Sequence, residues 1–385
     1  MRDQSDTDRL DWLRLIRTDG VGPVTFHRVI NRFGSAAAAL DKLSSLKNDR
    51  NGRAFVVPSA GSIEAELEAA DRIGATLILS CDQDYPQALR AIPDPPPALY
   101  IIDDGSQLTR QCIAIVGTRN ASMAGRKMAT NLARELGEHG YAIVSGLARG
   151  IDGEAHRGSL DAGTIAVLAG GVDVIYPPEH RELAHAIAEQ GTIISERAPG
   201  AKPTARDFPR RNRLISGLAL GVVVVEATER SGTLITARFA LEQGRDVFAV
   251  PGSPLDARAA GPNRLIQDGA CLVSSATDVI KGLEAAPTLL RRARFDEDAS
   301  DIVFDEYNNG PDAIENDRSD EEDRTAASLA SDLYTLLGPT PTHIDDLITA
   351  TESESAHVLN AVTELLVDGK IAEAEDGCFV RLEQH

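Results

Sequence analysis

The chain has 385 residues, 25% of them charged and 42% hydrophobic, with a formal net charge of -20, and its length asks for two or three domains rather than one core. It holds no apolar run near the roughly 18 residues a membrane span needs and no charged-then-apolar leader, which argues against spanning and secretion and points to the cytoplasm. Cys81, Cys112, Cys271 and Cys378 stand far apart without CxxC pairing, so neither a zinc site nor a disulfide framework is expected.

In chain order, residues 8–47 read as short helices around the turn Gly20-Val21-Gly22-Pro23, with Leu10, Leu13, Ile16, Val24, Val29 and Ile30 at helical spacing. Residues 1–80 are thus expected to form a small helical module, similar to sterile-alpha-motif or helix-hairpin-helix modules. Its turn either presents backbone N–H groups to a phosphate or simply joins packed helices, the second being the plainer reading. Residues 85–101, rich in proline, read as a fixed connector.

From Cys112 the pattern changes to short β-branched runs alternating with amphipathic segments, the mark of parallel βαβ units. Strands are predicted near 112–117, 141–145, 164–169, 191–195, 221–226 and 246–250, and helices near 122–138, 152–161, 179–189, 211–219, 231–243 and 276–284. A run such as Val222-Val223-Val224-Val225 needs helices on both faces of its sheet. The expectation for residues 81–284 is therefore a doubly wound, extended Rossmann-like α/β domain with a mostly parallel sheet.

The excess acid lies further on. Residues 281–385 hold 8 Lys and Arg against 25 Asp and Glu, leaving 31 against 34 for the first 280 residues, so a local positive groove is possible there. Residues 285–325 read as an acidic linker. Residues 326–385 read as a winged helix: a helix near 326–337, a short one opening at Pro341-Thr342, a third near 353–368, and two strands around Asp376-Gly377. Its candidate recognition helix carries Glu354 and Glu364 without Lys or Arg, which suits a protein partner better than DNA phosphates.

In an open parallel sheet a ligand sits beyond the carboxyl ends of the strands, and the polar motifs fall there. The first predicted strand delivers Gly117, Thr118, Arg119 and then Ser122; the second Gly146, Arg149 and Gly150; the third Gly170 and Gly171. Ser231-Gly232-Thr233 opens a helix and serves equally well as a phosphate seat or as an ordinary cap on Ser231. Arg206, Phe208, Arg210, Arg211, Asn212 and Arg213 crowd four cations around an aromatic, the combination a single strand needs for its phosphates and its base faces. Some of these arginines instead pair internally, because one helix cannot turn all of them to one face. Asp152, Glu154 and His156 could form an acid–base or metal cluster, but Asp152 suits an N-cap and no further ligand follows at metal spacing, so a structural hydrogen bond is the simpler role. No GxGxxG, Walker A or GxSxG motif occurs. The reading therefore includes no cofactor, no metal and no catalytic residue.

The motifs resemble the DNA-processing protein A (DprA/Smf) family of bacterial recombination mediators. The likeness runs from Tyr85-Pro86-Gln87 through Gly117-Thr118-Arg119, Ser145-Gly146-Leu147-Ala148-Arg149-Gly150-Ile151-Asp152, Tyr176-Pro177 and Ser195-Glu196. It continues through Phe208-Pro209-Arg210-Arg211-Asn212-Arg213, Glu226-Ala227 and Ser231-Gly232-Thr233 to Val250-Pro251-Gly252-Ser253. It implies that Arg119 contacts the strand backbone, that Phe208 stacks on a base, and that Arg211, Asn212 and Arg213 build the groove wall. It further implies a homodimer that accepts incoming single-stranded DNA in natural transformation, displaces single-strand-binding protein and loads RecA recombinase. Thr118 stands where the family usually has serine, and Pro178 where a basic residue is frequent, which removes one expected phosphate contact.

Two rival readings exist. The Gly232-Thr233 helix start is similar to the phosphate loop of phosphoribohydrolases that process nucleotides, but Ile235 and Thr236 stand where those enzymes carry acids. A structural adaptor working through the acidic tail and winged helix would leave the arginine clustering without a purpose.

Overall fold

The computed structural model describes residues 4–43, 55–103 and 105–285, together with 333, 337, 342–343, 347, 351, 358, 362, 365, 370–375 and 378–381. It divides into two compact units, Met1–Ile302 and Val303–His385. The segment read as an acidic linker lies almost wholly outside the described residues.

The first unit opens with α1 (Gln4–Ile16), α2 (Pro23–Phe33), α3 (Ala36–Leu43) and α4 (Ala60–Arg72). Val21, in the glycine turn, is buried with Leu15, Phe26, Leu40 and Leu43, so the turn packs as well as connects. Polar ties fix α1 to its neighbours: Trp12 Nε1 donates to the Pro97 carbonyl at 2.9 Å, and Arg17 pairs with Glu66 at 2.9 Å.

The core is one nine-stranded sheet. Its strands are β1 (Thr76–Leu79), β2 (Ala98–Ile102), β3 (Cys112–Val116), β4 (Ala142–Ser145), β5 (Thr164–Val167), β6 (Thr192–Ser195), β7 (Gly221–Val224), β8 (Asp246–Ala249) and β9 (Cys271–Leu272). They lie in the order β1-β2-β6-β5-β4-β3-β7-β8-β9. From β6 to β9 every pairing is parallel, while β2 runs antiparallel to both β1 and β6. Each of β3, β4, β5, β6 and β7 is buried throughout, as strands covered on both faces must be. The cover comes from α6 (Met123–Glu138), α7 (Ile151–Ser159), α8 (Arg181–Gln190), α9 (Asp207–Leu218), α10 (Gly232–Glu242), α11 (Ala260–Gln267) and α12 (Ala276–Ala285).

All six strands predicted for this sheet are present, and three of its strands, β1, β2 and β9, were missed. The segment read as a connector contains α5 (Gln87–Arg90) and ends in β2, and the module read as purely helical contributes β1. The chain order reverses beside β3: β4, β5 and β6 extend to one side, and the chain then returns to lay β7 on the other. This brings the exits of β3, β4, β5 and β7 to one edge.

In the second unit, β10 (Thr342–His343), β12 (Cys378–Arg381) and β11 (Ile371–Glu375) form a three-stranded antiparallel sheet. Leu333, Leu347, Val358, Val362, Leu365, Ile371 and Phe379 bury into one cluster. Where a short helix was expected to open, Thr342 and His343 instead pair with Phe379 and Cys378 as the third strand of a winged-helix sheet.

Candidate nucleic-acid interface

Two adjoining hollows lie at the exits of β3, β4 and β5. Gly146, Tyr176, Phe208 and Arg211 line both; Arg119, Ala148, Arg149 and Pro177 complete one, and Leu168, Ala169, Gly170, Val174 and Pro203 the other. Arg119 is exposed. Its guanidinium lies 5.4 Å from the centre of the Phe208 ring, and among the described residues it has no ion-pair partner. Phe208 also meets Tyr176 edge to face, with ring centres 5.6 Å apart. Tyr176 is 49% exposed. A cation over one aromatic and a second aromatic at its edge suit a phosphate flanked by an unstacked base. Arg149, also at the rim, forms an ion pair with Glu179 in which both side chains are more than half exposed.

Beneath this rim the crowded arginines take different roles. α9 begins four residues before its predicted start, at Asp207, whose carboxylate accepts from the N–H and hydroxyl of Thr204, both at 2.8 Å. That register turns Arg211 and Arg213 inward and leaves Arg210 exposed. Arg211 Nη1 donates to the carbonyls of Gly146, at 2.6 Å, and of Val167. Burial pulls its pKa down to about 10, while the Asp152 carboxylate supports its charge. Arg213 Nη1 donates to the Asp94 carbonyl at 2.7 Å, and the guanidinium pairs with the carboxylates of Asp94 and Glu196. The expectation that both build the groove wall is corrected for Arg213, which lines neither hollow, while Arg211 lines both. Arg211 is the floor of the hollows, tying the β4 and β5 exits together, and Arg213 is a tether from α9 to the proline-rich segment. Asn212 is half-buried, with its amide 3.4 Å from the Gly232 carbonyl. Arg206, just before α9, and Arg210, on it, are exposed and have no hydrogen-bond or ion-pair partner among the described residues.

The glycines divide in the same way. A Cβ on Gly146 would fall 2.4 Å from Arg211 Nη1, so only glycine admits the guanidinium. Gly150, at φ +73°, would drive a Cβ to 2.3 Å from the Thr118 carbonyl oxygen; it lets the β3 and β4 exits lie in contact. Gly170 lines a hollow, whereas the Gly171 N–H is taken by the Ala201 carbonyl at 2.8 Å.

Gly117 and Ser122 lie at the reversal between β3 and β7, but the protein itself fills that point. The Thr118 N–H donates to the Glu226 carbonyl at 2.7 Å, and the Glu226 carboxylate accepts from the Ser122 N–H at 2.9 Å and from its hydroxyl. A carboxylate thus sits on the N-terminus of α6, where this kind of fold can hold a phosphate. Ser231 caps α10 by accepting the Thr233 N–H at 3.2 Å, and Gly232 is exposed beside it; none of these three lines the hollows.

Asp152 does not cap α7, whose N-cap is Gly150. It accepts the N–H groups of Gly146 and Ala148, at 3.1 and 3.4 Å. Among the described residues no group of three His, Cys, Asp or Glu is arranged to hold a metal, and no helix is long and apolar enough to cross a membrane. Tyr176 and Glu226 are the two residues whose roles went unread in the sequence. Each had a signal: an aromatic before proline in a polar loop, and an acid directly at the exit of a valine strand.

Residues 76–284 match the model of a family described as DNA recombination-mediator protein A, residues 6–69 that of the DprA-like N-terminal HHH domain, and residues 317–377 that of the DprA winged helix domain. The chain belongs to the DNA recombination-mediator protein A family. It is 36% identical over 338 residues to the Smf protein of Escherichia coli K12, covering 87% of this chain and 85% of that protein. The solved structure of DNA processing protein A from Streptococcus pneumoniae superposes with a TM-score of 0.61 at 31% identity, over 73% of this chain and 98% of that one. That of DNA processing protein A from Helicobacter pylori, described for its single-stranded DNA binding mode, gives 0.50 at 30% identity, over 55% and 95%. The DprA fold, with its helical module, parallel sheet and winged helix, is thereby accounted for.

Proposed function

We propose that this chain binds single-stranded DNA in the crevice at the exits of β3, β4 and β5, with Arg119 and Arg149 on the backbone and Phe208, flanked by Tyr176, against a base. The observation that carries the reading is Arg119: an exposed guanidinium with no acidic partner among the described residues, lying over an aromatic at the mouth of a hollow. Arg206 and Arg210 extend the positive surface along α9. In the cell the chain acts in the cytoplasm as a homodimeric recombination mediator that accepts incoming strands in natural transformation, displaces single-strand-binding protein and loads RecA. Family membership and the single-strand binding of the Helicobacter pylori relative support this role. Ile235 and Thr236, standing after Gly232-Thr233 where acids would be needed, weigh against the rival nucleotide-processing reading.

Such a crevice reads phosphates and base faces, so affinity should fall with salt and depend little on sequence. The test is titration of oligothymidylate and of a mixed-sequence strand across a salt series. Arg119→Ala should weaken both alike and flatten the salt slope by roughly 0.7, one phosphate contact on a single strand. Unchanged affinity and slope would remove Arg119 from the site.

A further inference from the structure

The loop after β4 contains a backbone conformation that a bulky residue avoids. Leu147 has φ 56°, in the left-handed region, and its side chain is fully buried. Such a residue persists only where its surroundings over-determine it, and where it persists it often sits at a site that needs a preset geometry.

Two imidazoles hold this peptide from opposite sides. His156 Nε2 accepts the Leu147 N–H at 3.3 Å, and His180 Nδ1 donates to the Leu147 carbonyl at 2.9 Å. With Asp152 accepting from Gly146 and Ala148, three consecutive loop amides end on two side chains of α7 that lie one helical turn apart. The proton positions follow from this pattern. Because the Leu147 N–H donates to His156 Nε2, that nitrogen is bare and Nδ1 carries the hydrogen. His156 Nδ1 faces Thr164 Oγ1 at 2.7 Å, and the Thr164 hydroxyl in turn donates to the Ile143 carbonyl at 3.1 Å. Burial keeps the ring neutral by pushing its pKa down to about 3.

What the clamp fixes is the crevice itself. Gly146, immediately before Leu147, gives its carbonyl to Arg211 and lines both hollows, and Arg149, two residues after, stands at the rim. His180 ends the turn Pro178–His180, which also carries Glu179, the partner of Arg149. A turn of the Leu147 peptide to a relaxed conformation would move the Gly146 carbonyl off Arg211 and redirect Arg149.

We propose that His156 and His180 are positioning residues for single-strand binding: they clamp the left-handed Leu147 peptide and so hold Gly146 and Arg149 where a bound strand meets them. The proposal rests on the crevice being the single-strand site. It gives the Asp152 and His156 pair, whose spacing also suits acid–base or metal work, a mechanical task.

The experiment is a double-mutant cycle between His156→Leu and Arg149→Ala, read by titration of the full chain with oligothymidylate. Arg149→Ala should weaken binding several-fold. His156→Leu should weaken it comparably and add little on top of Arg149→Ala, whereas His156→Gln, whose Oε1 can accept the Leu147 N–H, should restore most of the affinity. His180→Leu, with His180→Asn as the donor-keeping variant, repeats the cycle at a turn nearer the surface and serves if His156→Leu fails to fold. Two results overturn the proposal: folded leucine variants that bind as the parent does while Arg149→Ala is weakened, or losses that add in full, since both deny action through Arg149. Parental binding by Arg149→Ala would instead sink the crevice reading and the proposal with it. In the unmodified protein, ring nitrogen shifts must report a neutral His156 protonated at Nδ1; protonation at Nε2 would break the Leu147 bond and end the proposal.

Discussion

Arg149 and Glu179 face each other in solvent, and an exposed pair of that kind is held weakly. In the proposed site a strand phosphate would have to displace the carboxylate to reach Arg149, so Glu179 would compete with the ligand. Glu179→Gln should therefore raise affinity for oligothymidylate, by roughly two- to fivefold at low salt and less at high salt; a loss of affinity would mean that Glu179 orders Arg149 rather than masking it. His156 gives a second residue-scale test, in stability. Burial, with His180, Arg211 and Arg157 adding repulsion, moves its pKa from 6.5 to about 3. The unfolded chain takes up a proton below pH 6.5 that the folded chain refuses until about pH 3, so this contribution is complete above the first value and is lost as pH falls toward the second. Between pH 7 and pH 5 the ring should account for roughly 2 kcal/mol of lost stability. Urea unfolding of the parent and of His156→Gln at both pH values measures it, and equal pH dependence in the two would contradict it. The residue types at the crevice could be read in the sequence, but their directions could not. Arg210, Arg211 and Arg213 are chemically alike, and only the register of α9, set by Asp207 on Thr204, decides which of them meets solvent.

At the scale of elements, α9 joins the interface to the core. Its outward face offers Arg210, with Arg206 exposed at its N-cap, while Arg211 ties the exits of β4 and β5 from below. Removing the guanidinium leaves the buried Gly146 and Val167 carbonyls without this donor, so Arg211→Met should cost about 1–3 kcal/mol of stability. Arg210→Met should stay within about 0.5 kcal/mol of the parent. Chemical denaturation separates the two, and a stable Arg211→Met would mean that the floor is not built on this guanidinium. The parallel strands were legible because burial on both faces forces unbroken apolar runs such as Val222-Val223-Val224. β2 was not, since the prolines before Ala98 hide a strand that runs antiparallel between β1 and β6. Thr342 and His343 escaped for a related reason: a two-residue strand has no period to read, and its place depends wholly on its partner β12.

For the whole molecule, a net charge of -20 and the proposed strand-binding crevice are compatible because the charge is unevenly distributed. The excess acid lies after residue 280, while the edge of the sheet gathers Arg119 and Arg149 around two aromatics, with Arg211 beneath. Chain order makes that gathering possible, since the reversal beside β3 brings loops from distant parts of the sequence to one edge. The same edge holds the Glu226 carboxylate where a phosphate could otherwise rest, which shifts the open space toward β4 and β5. The most direct test of this account is a structure of the full chain with a short oligothymidylate. The strand should run across the exits of β3, β4 and β5, with phosphates at Arg119 and Arg149 and a base against Phe208. A strand lying on the winged helix, or at Ser231-Gly232-Thr233 with those arginines untouched, would contradict it.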